Sequence, residues 1–227
     1  MQKRVGPPVL QPFYDFFKLC GKETILPAAA SKTVFLAAPL VGLAALVVLQ
    51  LFIPIHGWAA FSGMADIIVI LYLLLIPAMS VMLGGAASGS PYAGVGLSRE
   101  MVTVISCELP LVLVLLAVGK VAGGDSVTFS FTRIAEYQLE NGSLIPAALA
   151  FLLIIPGETG SHPFDTAEAE TEICEGLLAE YSGAPLAVYK LCHSIKLLTM
   201  TSLFTALFLG GMGGGAAALS SLLGLSG

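Results

Sequence analysis

The sequence predicts an all-α protein, a polytopic transmembrane helix bundle with amphipathic helices at the membrane interface. Three observations carry that prediction. The 227 residues are 56% hydrophobic and only 11% charged, with a mean hydropathy of +0.91, more apolar surface than a water-soluble domain can cover. Long apolar runs recur along the chain, and roughly 20 such residues, rising about 1.5 Å each, cross a bilayer core. Finally, seven of the 15 acidic residues crowd into one stretch, "ETGSHPFDTAEAETEICEGLLAEYSG" from Glu158 to Gly183, which holds neither Lys nor Arg.

The elements follow in order. "MQKRVGPPVL" lacks the apolar run that follows the basic start of a secretory signal, so no such signal is expected. In "LQPFYDFFKLCGKE", Leu10, Phe13, Phe16 or Phe17, and Leu19 or Cys20 recur at helical spacing among polar residues, which predicts an amphipathic helix on the membrane surface. Five spans are expected: 33–55, 66–85, 101–121, 143–157 and 186–210. The fourth is short for a crossing, so it is expected to extend into flanking sequence or to pack inside the bundle. "FTRIAEYQLENG" reads as a second, shorter surface helix, stopped by Asn141 and Gly142. Pro39, Pro54, Pro77, Pro110 and Pro146 interrupt or border the spans. Such prolines are tolerated where neighbouring helices or water re-satisfy the freed carbonyls, and they predict kinked helices around a hydrated interior. The tail "GGMGGGAAALSSLLGLSG" is too short to cross again, and its small residues suit close helix approach. With no repeat and no linker, residues 1–227 are expected to form one membrane domain.

Lys3, Arg4, Lys18, Lys22 and Lys32 all precede the first span, which places that end in the cytoplasm. Alternation then puts Arg99, the predicted loop "GAASGSPYAGVGLSRE" and the acidic segment on the same side, with His56 and Trp58 opposite as interfacial anchors. Lys120 and Arg133 run against this rule. A net charge of −5 gives no reason to expect nucleic acid. Cys20, Cys107, Cys174 and Cys192 form no CxxC pair, so no metal site is expected and buried free thiols are the simpler reading. No nucleophile elbow, phosphate loop or haem motif appears, so the chain alone is not expected to be a complete enzyme.

Two charged features stand out against this apolar background. On a helix, Asp165, Glu168, Glu172 and Glu175 would fall within an arc of about 80°. Like charges so spaced repel, so the stripe needs cations from elsewhere or protonation of some members. It reads either as a poised set of proton carriers or as a solvated acidic loop docked on a basic partner. Within the third span, Glu100 and Glu108 stand eight residues apart, about 12 Å along the axis, beside Arg99. An acid at the depth of Glu108 is either functional or neutral and hydrogen-bonded. Lys190 and Lys196 could pair with such acids across helices and His193 could titrate, although snorkelling also accounts for Lys190. His162 reads as a turn residue.

"HPFDTAEAETEICEGLLAEYSG" resembles the PFDxxEAExEL…EYSG signature of the membrane subunit shared by respiratory complex I, where it is the H subunit or its mitochondrial counterpart, subunit 1, and by energy-converting nickel-iron hydrogenases. "RVGPPVLQPFYDFFKLCGKE" and "GLSREMVTVISCEL" are similar to two further segments of that family, in the same order. The direct join in "RVGPPVLQPFYD", without a GPNxVGP insertion, together with "LSREM", resembles the Ech-type and carbon-monoxide-linked hydrogenase branch.

The resemblance implies an ion relay of Asp165, Glu168, Glu170, Glu172, Glu175, Glu108 and Arg99, with Glu100 and Lys196 carried along. It also implies contact with a peripheral arm through Arg4, Lys18, Lys22 and Glu23. The partners implied are the large and small hydrogenase subunits, an antiporter-like membrane subunit and the lipid bilayer, with ferredoxin as the electron source. No cofactor is expected in this chain; the nickel-iron centre and iron–sulfur clusters would belong to partner subunits. The family pattern has one more span before the first segment and two more after the last, so the chain is expected to be abbreviated or completed by neighbours. The alternatives are the H subunit of a quinone-reducing complex I, a proton-coupled transporter and a passive anchor.

Overall fold

The computed structural model describes residues 10–53, 66–124, 127–131, 134, 144–161, 164–167, 173–174 and 176–209. Helix α1 spans Gln11–Cys20, α2 Lys32–Phe52, α3 Ile67–Ser88, α4 Pro91–Gly123, α5 Ile145–Glu158 and α6 Ala184–Phe208. Four of these, α2, α3, α4 and α6, are long and apolar enough to cross a membrane. The chain is therefore a multi-pass helical membrane protein, and the expected span positions hold to within a few residues except at the start of α4. Among the described residues there is no strand, only an isolated antiparallel bridge between Asp66 and Ser130.

Helix α1 packs on α6 yet buries none of its own residues, and Phe13, Tyr14 and Phe17 stay exposed. That is how a helix lying in an interface presents its apolar face to lipid. Helices α2 and α3 lie along each other, with Gly42 so close to Ser80 that an added Cβ would collide with its hydroxyl. The larger core joins α2, α3, α4, α5 and α6 through residues such as Leu49, Leu74, Leu115, Phe151 and Leu203. Phe131 and Ile134, within the segment expected to form a surface helix, are both fully buried in that core. The rest of that helix, 135–142, lies outside the described residues, as do His56, Trp58, His162, Arg133 and the glycine-rich tail.

The predicted loop 85–100 is corrected. Helix α3 continues to Ser88 and α4 already begins at Pro91, leaving only Gly89 and Ser90 between them. Small and polar residues there imitate a loop, but Gly89 at φ +71° turns the chain in one step, and Pro91 suits the first helical turn. Helix α4 thus runs 33 residues, about 50 Å, well beyond a hydrocarbon core of about 30 Å. The fourth span is short as expected: α5 has 14 residues, buries Phe151 and Ile154, and ends at a turn through Thr159 and Gly160.

Kinked helices need partners for the carbonyls that proline abandons. Pro39 has no N–H to give the carbonyl of Phe35, and the Tyr181 hydroxyl donates to that carbonyl instead at 3.0 Å. Tyr189 donates to the Ser80 carbonyl at 3.1 Å. Phe35 stacks on Tyr181 with ring centroids 3.9 Å apart, and Tyr189 meets Tyr181 edge-on at 4.9 Å. Both tyrosine hydroxyls converge over Gly84, where any side chain would displace them. Burial pushes the Tyr181 phenol up from its usual range, so it remains a protonated donor at neutral pH.

Candidate functional site

The site is a cleft at the α1 end of the bundle, where α4, α5 and α6 meet the acidic segment. Its volume is about 100 Å³, and Glu100, Cys107, Glu158, Asp165, His193 and Lys196 line it. That is room for several waters. Glu100 and Cys107 come from α4, Glu158 is the last residue of α5, and His193 and Lys196 lie one turn apart on α6. Gly157 permits the closeness of α4 and α5, because a Cβ there would lie 2.7 Å from the Cys107 sulfur.

At the back of the cleft, the Lys196 ammonium contacts the Glu158 carboxylate at 3.0 Å, with side chains only 13% and 4% exposed. Glu158 Oε2 is satisfied by the pair, whereas Oε1 is buried without a hydrogen-bond partner. A buried acceptor left open on a polar cleft is suited to a proton, a water or an ion arriving from the cleft. Nothing in the arrangement resembles a metal cage: among the described residues no three His, Cys, Asp or Glu side chains are grouped to hold an ion.

The acidic segment is fastened to this cleft at both described ends. At its start, Arg99 Nη1 donates to the Thr166 carbonyl at 3.3 Å, and the hydroxyls of Thr103 and Thr166 share a 3.2 Å hydrogen bond. At its far end, the turn Gly176–Leu178 wedges Leu177 against Gly85 of α3 and Gly96 of α4. A Cβ on Gly96 would lie 2.8 Å from the Leu177 backbone nitrogen. Beyond the turn, Ser182 Oγ accepts from the Ile25 amide at 2.9 Å. Gly183, at φ +65°, lies against the Lys22 and Glu23 carbonyls. The segment after α1 and the end of the acidic motif therefore touch each other.

The expected relay residues separate into three groups. Asp165, Glu100 and Lys196 line the cleft, with Arg99 beside it. Glu108 lies eight residues further along α4 and outside the cleft wall. Glu168, Glu170, Glu172, Glu175 and Arg4 lie outside the described residues. Lys18, Lys22 and Glu23 are exposed on and after α1, away from the cleft. One expectation is corrected: Asp165 is not part of a helical carboxylate stripe, because residues 164–167 are irregular, with the Thr166 amide bonded to the Phe164 carbonyl. Lys196 does pair with an acid across helices, but the acid is Glu158, which stands outside the expected relay. The available signal was the position of Glu158 at the end of an apolar run, opposite a lysine deep in another.

Fold and site together define a helical, multi-pass membrane protein with a buried ion pair behind a carboxylate-lined cleft. A family model described as NADH dehydrogenase matches residues 1–224, and the chain belongs to that family. It is 37% identical to hydrogenase-4 component C of Escherichia coli, over 92% of this chain and 66% of the relative. It is 36% identical to the H subunit of NADH-quinone oxidoreductase from Thermomicrobium roseum, over 94% of this chain and 70% of that protein. With NADH-ubiquinone oxidoreductase chain 1 of Lampetra fluviatilis it shares 34% over 94% and 68%. The chain thus spans about two thirds of the length of the curated relatives it matches. Among solved structures it superimposes on a chain of the membrane-bound sulfane sulfur reductase, an archaeal respiratory membrane complex, with a TM-score of 0.83 and 29% identity, covering 98% of this chain and 74% of the other.

Proposed function

We propose that this chain is the ion-translocating membrane subunit of a ferredoxin-linked, hydrogen-evolving complex, which couples electron transfer in a peripheral arm to movement of protons or sodium ions. The observation that carries the reading is the Lys196–Glu158 pair, buried at 3.0 Å with one carboxylate oxygen open to the cleft. The pair sets a buried charge at the back of the cleft, with Glu158 Oε1 left as an acceptor without a hydrogen-bond partner. The likeness to hydrogenase-4 component C supports the hydrogenase branch.

In this reading the nickel-iron centre and the clusters reside in large and small partner subunits docked over α1, Lys22, Glu23 and the acidic segment. That end of the bundle faces the cytoplasm, and the ion passes to an antiporter-like neighbour. A redox event in the arm alters the field at Glu100 and Glu158, and a proton moves between them and the cleft.

A second reading is favoured by a separate observation. A groove of about 810 Å³ between α1 and α6, walled by Phe13, Phe16, Phe17 and Leu191, shares Asp165 and His193 with the polar cleft. An apolar channel ending at titratable groups would suit a quinone, as in the H subunit of complex I. The two readings separate in one assay: the gently solubilised native complex, supplied with reduced ferredoxin, is followed for hydrogen evolution and for quinone reduction. Hydrogen evolution without quinone reduction supports the first reading. Quinone reduction moves the protein to the second, and neither activity, with no co-purifying subunits, overturns both.

A further inference from the structure

Gln50 is the one polar residue of the run 34–53, and it stands near the end of α2, a helix that packs on α6. Its partner on α6 is Thr199, which is fully buried. The Thr199 hydroxyl lies 2.7 Å from the Ile195 carbonyl and 3.1 Å from Gln50 Oε1. A hydroxyl has one proton and cannot donate to both. With the proton on the shorter contact, two oxygens would face each other. A half-turn of the amide, which exchanges its oxygen and nitrogen in place, converts that repulsion into an N–H donated to Thr199. The amide oxygen then takes the place of Nε2, a position that is buried without a hydrogen-bond partner.

This open acceptor stands close to the ion pair. Because Thr199 folds back onto the carbonyl of Ile195, the residue before Lys196, the Gln50 amide sits at the height of the Lys196 backbone. Thr199 is only about 60° round the helix from Lys196, whose ammonium is carried on a flexible four-carbon stem. Among the described residues, the buried side-chain atoms without a partner are this one and Glu158 Oε1, one on the partner of Thr199 and the other on the partner of Lys196. The titratable groups facing the pair are Glu100 and Cys107 of α4, His193 of α6 and Asp165 of the acidic segment. Glu108, further along α4, is within electrostatic reach of both members. Helix α3 faces the cleft with Pro77, Ala78 and Val81. Glu100 is therefore the rival acceptor for the ammonium on the cleft side, and Gln50 the acceptor on the core side.

We propose that the side-chain carbonyl of Gln50, held in place by Thr199, is a second station for the Lys196 ammonium, occupied when Glu158 takes up a proton. A proton arriving from the cleft forms an O–H on Glu158 Oε1 and leaves that carboxyl neutral. The ammonium keeps its three protons but loses its counter-charge, a costly state in a dry core. Turning to Gln50 gives it an acceptor again and carries positive charge away from the cleft, with no bond of Lys196 broken. Loss of the proton from Glu158 draws the ammonium back. Gln50 is thus a positioning residue that sets how readily Glu158 is protonated. The inference rests on the translocation reading for its purpose, while its test is independent of ion uptake.

The test is infrared difference spectroscopy of the intact complex in lipid nanodiscs, titrated from alkaline to acid pH, with the Glu158 carboxyl band identified by its absence in Glu158→Gln. Gln50→Met keeps the bulk but removes the acceptor, so protonating Glu158 strands the ammonium. The midpoint should then fall by about one to two pH units, the weight of one hydrogen bond to a charged group. Gln50→Glu offers the ammonium a stronger station and should raise the midpoint. Loosened packing does not produce opposite shifts from the two variants. If Gln50→Met fails to assemble, the direction in Gln50→Glu decides alone. A midpoint unmoved in either assembled variant, as expected if Lys196 turns to Glu100 instead, overturns the proposal, and so does a Glu158 that stays ionised throughout. Shifted midpoints in a complex that takes up no ions would keep the second station and remove the translocation reading.

Discussion

Lys196 and Glu158 show how one pair can serve both structure and chemistry. Taking two charges out of water is costly, and their attraction offsets that only while both are present. Lys196→Met should therefore destabilise the solubilised complex by about 3–5 kcal/mol, the range for stranding one partner of a buried pair, and differential scanning measures it. Lys196→Met combined with Glu158→Gln should regain most of that stability while ion uptake into vesicles stays lost; recovery of uptake would show that the pair is only a brace. Tyr181 offers a sharper test of a single hydrogen bond. Tyr181→Phe strands the Phe35 carbonyl and should cost about 1–3 kcal/mol, but far less in a Pro39→Ala background, where the introduced alanine supplies the missing amide. The sign with pH also follows: a phenol whose folded pKa is raised stabilises fully below its unfolded value near 10, and that contribution fades as pH climbs past it, a slope that Tyr181→Phe should abolish. Half of this chemistry was legible in the sequence. A lysine deep in an apolar run demands an acid, and acids were in view, but choosing Glu158 over Glu108 requires knowing which helices are neighbours.

At the scale of elements, apolar run length located every span because bilayer thickness sets it, whereas helix ends inside the aqueous layer obey subtler rules. The early start of α4 was missed because glycine and serine look like loop residues, yet within Pro91–Glu100 they sit on a continuous helix and Gly96 faces another backbone. Gly94 and Gly96 make the contrast within two residues. No atom lies within 4 Å of where a Gly94 Cβ would be, while Gly96 abuts the Leu177 amide. Gly94→Ala should be neutral or stabilising by up to about 1 kcal/mol through helix propensity alone. Gly96→Ala should push the Gly176–Leu178 turn away from α4 and expose the acidic segment to limited proteolysis. Equal protease resistance in both variants would mean that the wedge does not hold the segment. Asp165 departs from the expected carboxylate stripe for a related reason: it is drawn into an irregular turn held by Arg99 and Thr103, and such cross-segment bonds leave no periodic trace.

At the scale of the whole molecule, the arrangement separates a wet end from a dry one. The cleft, the acidic segment and α1 gather at one end, while Phe151, Phe204 and Phe208 pack against one another in the core. A charge entering the cleft is therefore felt through protein and not drained by bulk water. At an effective dielectric near 20, a unit charge about 8 Å away is worth roughly 2 kcal/mol, or about 1.5 pK units, enough to tip a carboxylate poised near its midpoint. Glu108 is where an active conduit and a passive anchor part company. Glu108→Gln retains the shape and a hydrogen-bonding side chain but removes the exchangeable carboxyl proton. If the chain moves ions, the variant complex should assemble and evolve hydrogen from reduced ferredoxin while ion uptake into sealed vesicles falls to background. If the chain only anchors the arm, uptake per hydrogen evolved should equal that of the unaltered complex. The ratio decides, because a general loss of stability lowers both quantities together, whereas loss of the conduit lowers only one.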